Sequence, residues 1–398
     1  MLRRVGAVLA AGALAVVPVG PAPARADQVR AAMAPVLAAL DVPRAWELSR
    51  GAGVTVAVLD SGVDENQADL AGSVEQGPDY TAGANPPGVL PRRVHGTSMA
   101  SIIAGHGHGI GGADGVLGVA PQARLLAVRV ILERDEPGFA EFTRDPRFEG
   151  AIASGIRYAV DHGADVINLS LGRSYPTKAE RAAVAYALAR DVVVVAAAGN
   201  SGADPAAPGA KAADGGGFTY PASFPGVISV AAVDSAGRHA GFSNKNTAVA
   251  VSAPGVQIIG AGPGGQYWIG DGTSPATAFV SGIAALIRAR HPGLAPALVE
   301  QALTTGAQHR PARGYDASVG FGRVDARAAL AAADALAGNR DAGLGLDPAR
   351  RFADGRARPV EVVHRSGAVV AATSAGCVLA AVVMFAAVQD LLRRRRLR

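Results

Sequence analysis

The amino-acid sequence predicts an α/β fold: a doubly wound, mostly parallel central sheet with helices on both faces. Two observations carry this. Short apolar runs rich in β-branched residues recur at residues 54–59, 125–130, 166–171, 192–197 and 227–232. Continuous apolar runs of that length suit strands buried on both faces of a parallel sheet. Helix-period stretches occupy residues 97–104, 150–162, 177–190, 275–290 and 294–304. Alternation of strand and helix is what parallel crossover connections require. Sheets of this kind build their sites at the carboxyl ends of strands. Asp60 follows the first run directly and Asn200 follows the fourth closely, so a site is expected around them.

The flanks are different material. The chain starts Met1-Leu2-Arg3-Arg4, continues with an apolar run over residues 5–19, and reaches Ala24-Arg25-Ala26. Charged, apolar and small-residue regions in that order describe a secretory signal peptide, expected to end at residue 26. Residues 27–44 then form a short leader, and residues 45–332 the main domain. Residues 333–366 are rich in Asp, Arg, Gly and Pro and carry few large apolar side chains, as a flexible linker does. Residues 367–388 contain no charge. As a helix they span roughly 33 Å, enough for a bilayer core, so a C-terminal transmembrane helix is expected. Cys377 within it serves as a small apolar filler. Residues 389–398 form a basic tail that the positive-inside rule keeps cytoplasmic. The expected topology is single-pass in the cell membrane, with the main domain extracytoplasmic.

Composition excludes some classes. Among 398 residues Cys377 is the only cysteine, so there is no internal disulfide framework and no thiolate metal site. The net charge is +5, and five arginines fall within the last six residues. The rest is near neutral, so no nucleic-acid partner is expected.

Three strings carry chemistry. Asp60 sits in Val-Ala-Val-Leu-Asp-Ser-Gly-Val-Asp, His95 opens His-Gly-Thr-Ser-Met-Ala-Ser-Ile-Ile-Ala-Gly, and Ser274 sits in Gly-Thr-Ser-Pro-Ala-Thr-Ala-Phe-Val-Ser-Gly. A serine hydroxyl is a weak nucleophile and needs an adjacent base. A histidine, with its near-neutral pKa, serves as base and then as acid. A carboxylate orients the ring and stabilises the imidazolium. Pro275 suits a helix start, because its missing N–H would have had no partner there. That puts Ser274 at a helix N-terminus, where developing negative charge is favoured. By itself Ser274 is an ordinary helix cap; beside the other two strings it is the candidate nucleophile.

Those strings, in the order Asp, His, Ser, resemble the subtilase family of serine proteases (peptidase family S8) over about residues 46–330. The resemblance implies a subtilisin-like three-layer fold and endopeptidase activity on protein or peptide substrates. No cofactor is expected and no metal residue is assigned, since no Asp-x-Asp-x-Asp-Gly calcium loop is visible, while the family's calcium sites use scattered oxygens that no motif marks. It implies a catalytic triad of Asp60, His95 and Ser274, with Asn200 as side-chain donor of the oxyanion hole. It makes Ser170, Leu171 and Gly172 the strand that pairs with an extended substrate, and Ala198 and Gly199 the opposite wall of the specificity pocket. Relatives usually have methionine after the serine and proline four residues after it; here these positions are Pro275 and Ala278. The family's His-Pro-Asp-Leu run is reduced to Gln67-Ala68-Asp69-Leu70, and Asp69 reads as structural. Secreted subtilases carry a domain-sized inhibitory pro-segment, for which residues 27–44 leave no room.

The arrangement of leader, catalytic domain, linker, single span and basic tail resembles the mycosins, serine proteases associated with type VII secretion. A type VII secretion membrane complex is therefore an expected partner. The alternative is a structural partner that stabilises such a complex, with catalysis secondary. An esterase is not expected, since Gly-Thr-Ser-Pro-Ala lacks the Gly-x-Ser-x-Gly nucleophile string. His106 and His108 lie in Gly-His-Gly-His-Gly, without the i, i+4 spacing or nearby carboxylates of a metal pair, and read as loop residues. Residues 133–149 are charged and contain Phe139, Phe142 and Phe148, which fits either a lid or partner surface or a solvated insertion.

Overall fold

The computed structural model describes residues 26–202, 217–341 and 367–396. The expected signal peptide, except Ala26, lies outside the described residues, as do residues 342–366 of the expected linker. The chain divides into two units, Met1–Gly343 and Leu344–Arg398.

The first unit begins with helices α1 (Ala26–Ala39) and α2 (Val42–Ala45), then strands β1 (Thr55–Asp60) and β2 (Val74–Asp79). Helix α3 (Val94–Ala104) leads to a short hairpin, β3 (His106–His108) with β4 (Asp114–Leu117), and to β5 (Arg124–Arg129). There follow α4 (Phe139–Arg144), α5 (Ala151–Asp161), β6 (Val166–Leu169), α6 (Lys178–Leu188), β7 (Val193–Ala197), β8 (Ile228–Val233) and β9 (Val249–Pro254). A second hairpin, β10 (Ile258–Ala261) with β11 (Tyr267–Gly270), precedes α7 (Thr273–Arg290), α8 (Pro296–Thr305) and α9 (Ala326–Asp341).

Seven strands form one sheet in the order β2-β5-β1-β6-β7-β8-β9, and every pairing in it is parallel. The period-two alternation of strand side chains makes three layers of it. Val56, Val58, Val193 and Val195 point into one apolar cluster with α3 and α7. Ala57, Leu59, Val194 and Ala196 point into another with α5 and α6. Helix α7 is buried around nearly its whole circumference from Thr273 to Arg288, as a helix apolar on all faces must be. It runs from Thr273 to Arg290 as one helix.

The five expected strands are present with ends shifted by a residue or two. β2 was not legible because Val-Glu-Gln-Gly-Pro-Asp has no apolar run; Pro78 is tolerated because β2 is an edge strand. The leader is part of the body. Val29, Met33, Leu37 and Leu40 are buried in the core, and Arg30 donates to the carbonyls of Gly112, Asp114 and Gly115 at 2.9–3.1 Å. The main body also runs past residue 332. α9 continues to Asp341, with Ala333 buried and Asp334 bonded to Arg290 and His291.

In the second unit, α10 (Gly367–Arg396) is one helix. It opens on small residues such as Ala371, Ala372, Ser374 and Gly376, and charge begins at Asp390. Among the described residues no helix is long and apolar enough to cross a membrane, so the transmembrane helix expected at residues 367–388 does not rest on the fold.

Candidate active site

Asp60 is the last residue of β1 and is completely buried. Its Oδ1 accepts from the Ser61 N–H at 2.7 Å and lies 2.7 Å from His95 Nδ1. A carboxylate only accepts, so Nδ1 carries the proton and Nε2 is left as the basic nitrogen. His95 is the second residue of α3. The glycine beside it is a packing requirement: a Cβ on Gly96 would collide with the Gly62 carbonyl. This lets the start of α3 close onto the loop after β1 and brings the ring to the carboxylate. Burial pulls the His95 pKa down, but the charge and hydrogen bond of Asp60 and the charge of Glu133 outweigh it, and the net direction is upward.

Ser274 is the second residue of α7, with Pro275 third rather than first. The missing proline N–H still falls among the helix's first four, which have no intrahelical partner. The Ser274 hydroxyl donates to the Ser170 carbonyl at 3.0 Å, and the Ser170 hydroxyl donates to the Ser274 carbonyl at 3.0 Å. Among the described hydrogen bonds none joins Ser274 to His95. Nucleophile–base bonds often form fully only when substrate is present.

Asn200 follows β7. Its Oδ1 accepts from the Thr273 N–H at 2.8 Å and from the Thr273 hydroxyl at 2.9 Å. A peptide N–H cannot accept, so this contact fixes which end of the amide is oxygen and leaves Nδ2 to donate elsewhere. A Cβ on Gly272 would stand 3.3 Å from that Nδ2, so the glycine keeps the space before the donor open. The loop is held by Asn244, which the sequence reading missed. Asn244 is buried, accepts from the Ser201 N–H at 2.7 Å, and donates its own N–H to the Gly199 carbonyl at 2.9 Å.

Gly199 has φ 107°, and a Cβ there would strike Asn244 and Thr219. The Ala198 side chain packs inward on Ala231 and Val249, so any pocket wall at this position is main chain. On the other side, Ser170, Leu171 and Gly172 line a cavity of about 810 Å³ together with His95. The stretch 133–149 forms much of the rest of that cavity, through residues such as Phe139, Phe142 and Phe148. The stretch whose sequence fits either a lid or partner surface or a solvated insertion therefore walls the space beside the histidine.

Glu133 is a further residue that the motifs did not announce, and Ser61, inside the Asp60 string, carried no assigned role. Ser61 donates to Glu133 Oε1 at 2.7 Å, and the His95 N–H donates to the same oxygen at 2.9 Å. His106 and His108 lie on the β3–β4 hairpin instead of a loop. A carboxylate is near them after all: Asp69 Oδ1 is 2.6 Å from His108 Nδ1, and its Oδ2 accepts from the Val116 N–H at 2.8 Å. Among the described residues no group of three His, Cys, Asp or Glu is placed to hold a metal ion.

A buried carboxylate on a histidine, a serine at a helix start and a side-chain amide clamped beside it are the parts of an acyl-transfer site. The sequence pattern of the Subtilase family matches residues 51–322. A subtilisin of Bacillus pumilus is 37% identical over 279 residues, covering 70% of this chain and 91% of that protein. Mycosin-3 of Mycobacterium tuberculosis is 35% identical over 335 residues, covering 73% of this chain and 70% of its own. Among solved structures, the MycP3 protease from the type VII (ESX-3) secretion system superposes with a TM-score of 0.60 at 35% identity, over 74% of this chain and 87% of that one.

Proposed function

Because the chain belongs to the subtilase family of serine endopeptidases, we propose that Asp60, His95 and Ser274 are its catalytic triad, in a membrane-anchored extracytoplasmic enzyme that processes proteins of a type VII secretion system. The observation that carries the triad is the 2.7 Å contact between His95 Nδ1 and the buried Asp60 carboxylate.

An extended peptide pairs its backbone with Ser170–Gly172, and a side chain before the scissile bond enters the cavity beside His95, where Phe139, Phe142 and Phe148 stand among charged residues. Binding at the Ser170 carbonyl releases the Ser274 hydroxyl, which turns to His95 Nε2. His95 takes the proton as Oγ attacks the peptide carbonyl. Charge gathers on the carbonyl oxygen, where Asn200 Nδ2 and the Ser274 N–H donate. Asp60 stabilises the imidazolium without becoming protonated. His95 then gives the proton to the leaving amine, and water, deprotonated by the same nitrogen, releases the acyl group.

The anchor rests on α10. Residues 367–388 are uncharged and arginines follow, and Val378, Leu379, Val382, Val383, Met384 and Phe385 are exposed on the helix. The export reading rests on the apolar run behind Arg3 and Arg4. The secretion role rests on the likeness to mycosin-3 and MycP3. Fluorophosphonate labelling tests the site: probe attached to the wild type and absent from Ser274→Ala supports it, and equal labelling of both defeats it. Ending the chain before Gly367 should move the enzyme from washed membranes to the soluble fraction; retention would overturn the anchor.

A second reading, a scaffold that stabilises the secretion complex with catalysis secondary, rests on the same likeness to mycosin-3 and MycP3. A Ser274→Ala strain that still secretes would establish the scaffold role.

A further inference from the structure

His95 stands in the first turn of a helix that does not cap itself. Arg93, which precedes α3, has a left-handed backbone (φ 57°), and its side chain makes no cap bond. The first N–H groups of a helix have no partner within it, and here partners come from other segments. The His95 N–H donates to Glu133 Oε1 at 2.9 Å. The Gly96 N–H donates to Ser61 Oγ at 3.1 Å, and the Ser61 hydroxyl donates to the same Glu133 oxygen at 2.7 Å.

Glu133 is itself pinned. Its N–H donates to Glu136 Oε1 at 3.0 Å. Glu136 is buried and accepts from Arg129 at 2.7 Å. Arg129 also donates to the Ser61 carbonyl at 3.1 Å and to Asp79 at 2.9 Å. The carboxylate is therefore fixed on a rigid network, next to the histidine and at the positive end of its helix.

We propose that Glu133 is a positioning residue, one that caps the helix carrying His95 and, as a fixed negative charge beside the ring, stabilises the imidazolium formed when Ser274 gives up its proton. No proton passes to Glu133; the proton moves from Ser274 Oγ to His95 Nε2. This inference rests on the triad reading for its catalytic consequence, and on the hydrogen bonds of Glu133 to the His95 N–H and to Ser61 for its place beside the histidine.

The charged groups around the pair set the sign. Asp60 faces the ring from β1 and acts in the same direction as Glu133. Arg92 opposes them, with Nε 4.0 Å from Glu133 Oε2, and is itself held by Asp135 at 2.7 Å. Arg93 precedes the helix, Arg129 and Asp79 lie behind Ser61, and Glu136 is neutralised by Arg129. Arg134, Arg144, Asp145, Glu149 and Arg173 line the shared cavity.

The test uses the full-length chain and two readouts, each from about pH 5 to pH 9, the range where histidine titrates. One is the fluorophosphonate labelling rate of Ser274. The other is the His95 ring titration by NMR, assigned with His95→Gln. Glu133→Gln keeps an acceptor for the His95 N–H but removes the charge. It should move both the acidic limb of labelling and the ring titration down by about one pH unit, the low end for loss of a nearby opposite charge. Arg92→Gln, on a side chain 42% exposed, should move both upward by less. An unchanged ring titration in Glu133→Gln, or shifts of the same sign in both variants, would overturn the proposal. If the wild type takes no label at any pH, the triad reading fails, and the ring titration still decides the role of Glu133.

Discussion

Asp60 and Asp69 hold histidines in nearly the same way. The Asp60–His95 contact is 2.7 Å and the Asp69–His108 contact 2.6 Å, each through Oδ1 and Nδ1. Both carboxylates are wholly buried, and the two rings are 35% and 33% exposed. The surroundings differ. Asp60 ends a central strand of the sheet, and His95 faces a cavity with Ser170 and Gly172. Asp69 spends its second oxygen on the Val116 N–H and ties a two-stranded hairpin to the body. A carboxylate–histidine pair is thus a structural clip by default. It gains chemistry only from a hydroxyl, an oxyanion donor and space for substrate.

The largest expected contrast is between two identical substitutions. Asp60→Asn should lower turnover by roughly 10⁴-fold, because an amide no longer enforces the tautomer that leaves Nε2 basic. Asp69→Asn should leave turnover within a few-fold and instead lower stability by about 1–3 kcal/mol, the cost of disturbing a buried hydrogen-bonded group. Turnover and thermal unfolding of both variants check this; comparable activity losses would erase the distinction. Next in size is Asn200→Ala. Removing one oxyanion donor costs about 10²–10³-fold in kcat, with KM little changed. A rise in KM at constant kcat would make Asn200 a binding residue only.

A smaller effect concerns pH. The upward direction of the His95 pKa means that its neutral form, the base of the proposed triad, is lost as pH falls through a value above the ordinary 6.5. The acidic limb of kcat/KM should therefore lie above pH 6.5; a limb below it would contradict the reading of Asp60 and Glu133 as net stabilisers of the imidazolium. The same shift contributes stability that is fully present below the unfolded pKa. That stability is lost as pH rises through the folded value.

The contrast also explains what was legible in the sequence. The buried strands announce themselves because both faces are apolar, and the three short strings around Asp60, His95 and Ser274 each combine a reactive residue with a glycine. The Gly96 contact with Gly62 shows why one such glycine is there. Long-range partners leave no comparable local mark. Glu133 lies 38 residues from His95 and Asn244 43 residues from Ser201, inside stretches that read as loop. Asp69 and His108, 39 residues apart, were separated for the same reason, and the absence of a carboxylate near His108 in the sequence was mistaken for absence in space. The leader was undervalued because Val29, Met33 and Leu37 are spaced for one helix face but sit among alanines.

That leader supplies the smallest and most discriminating test. Arg30 reaches from α1 to three carbonyls of the hairpin that carries His108. The bonds are charge-assisted, Gly112 and Asp114 are half-buried and Gly115 is buried, so Arg30→Ala should cost about 1–3 kcal/mol. For a domain of this size that corresponds to a fall in Tm of roughly 1–5 °C. Labelling of Ser274 at 25 °C should not change, because nothing in the network around His95 passes through the hairpin. A variant that lost labelling in step with Tm would show that the leader and its hairpin bear on the cleft, and the two aspartate–histidine pairs would then belong to one coupled unit rather than to a clip and a site.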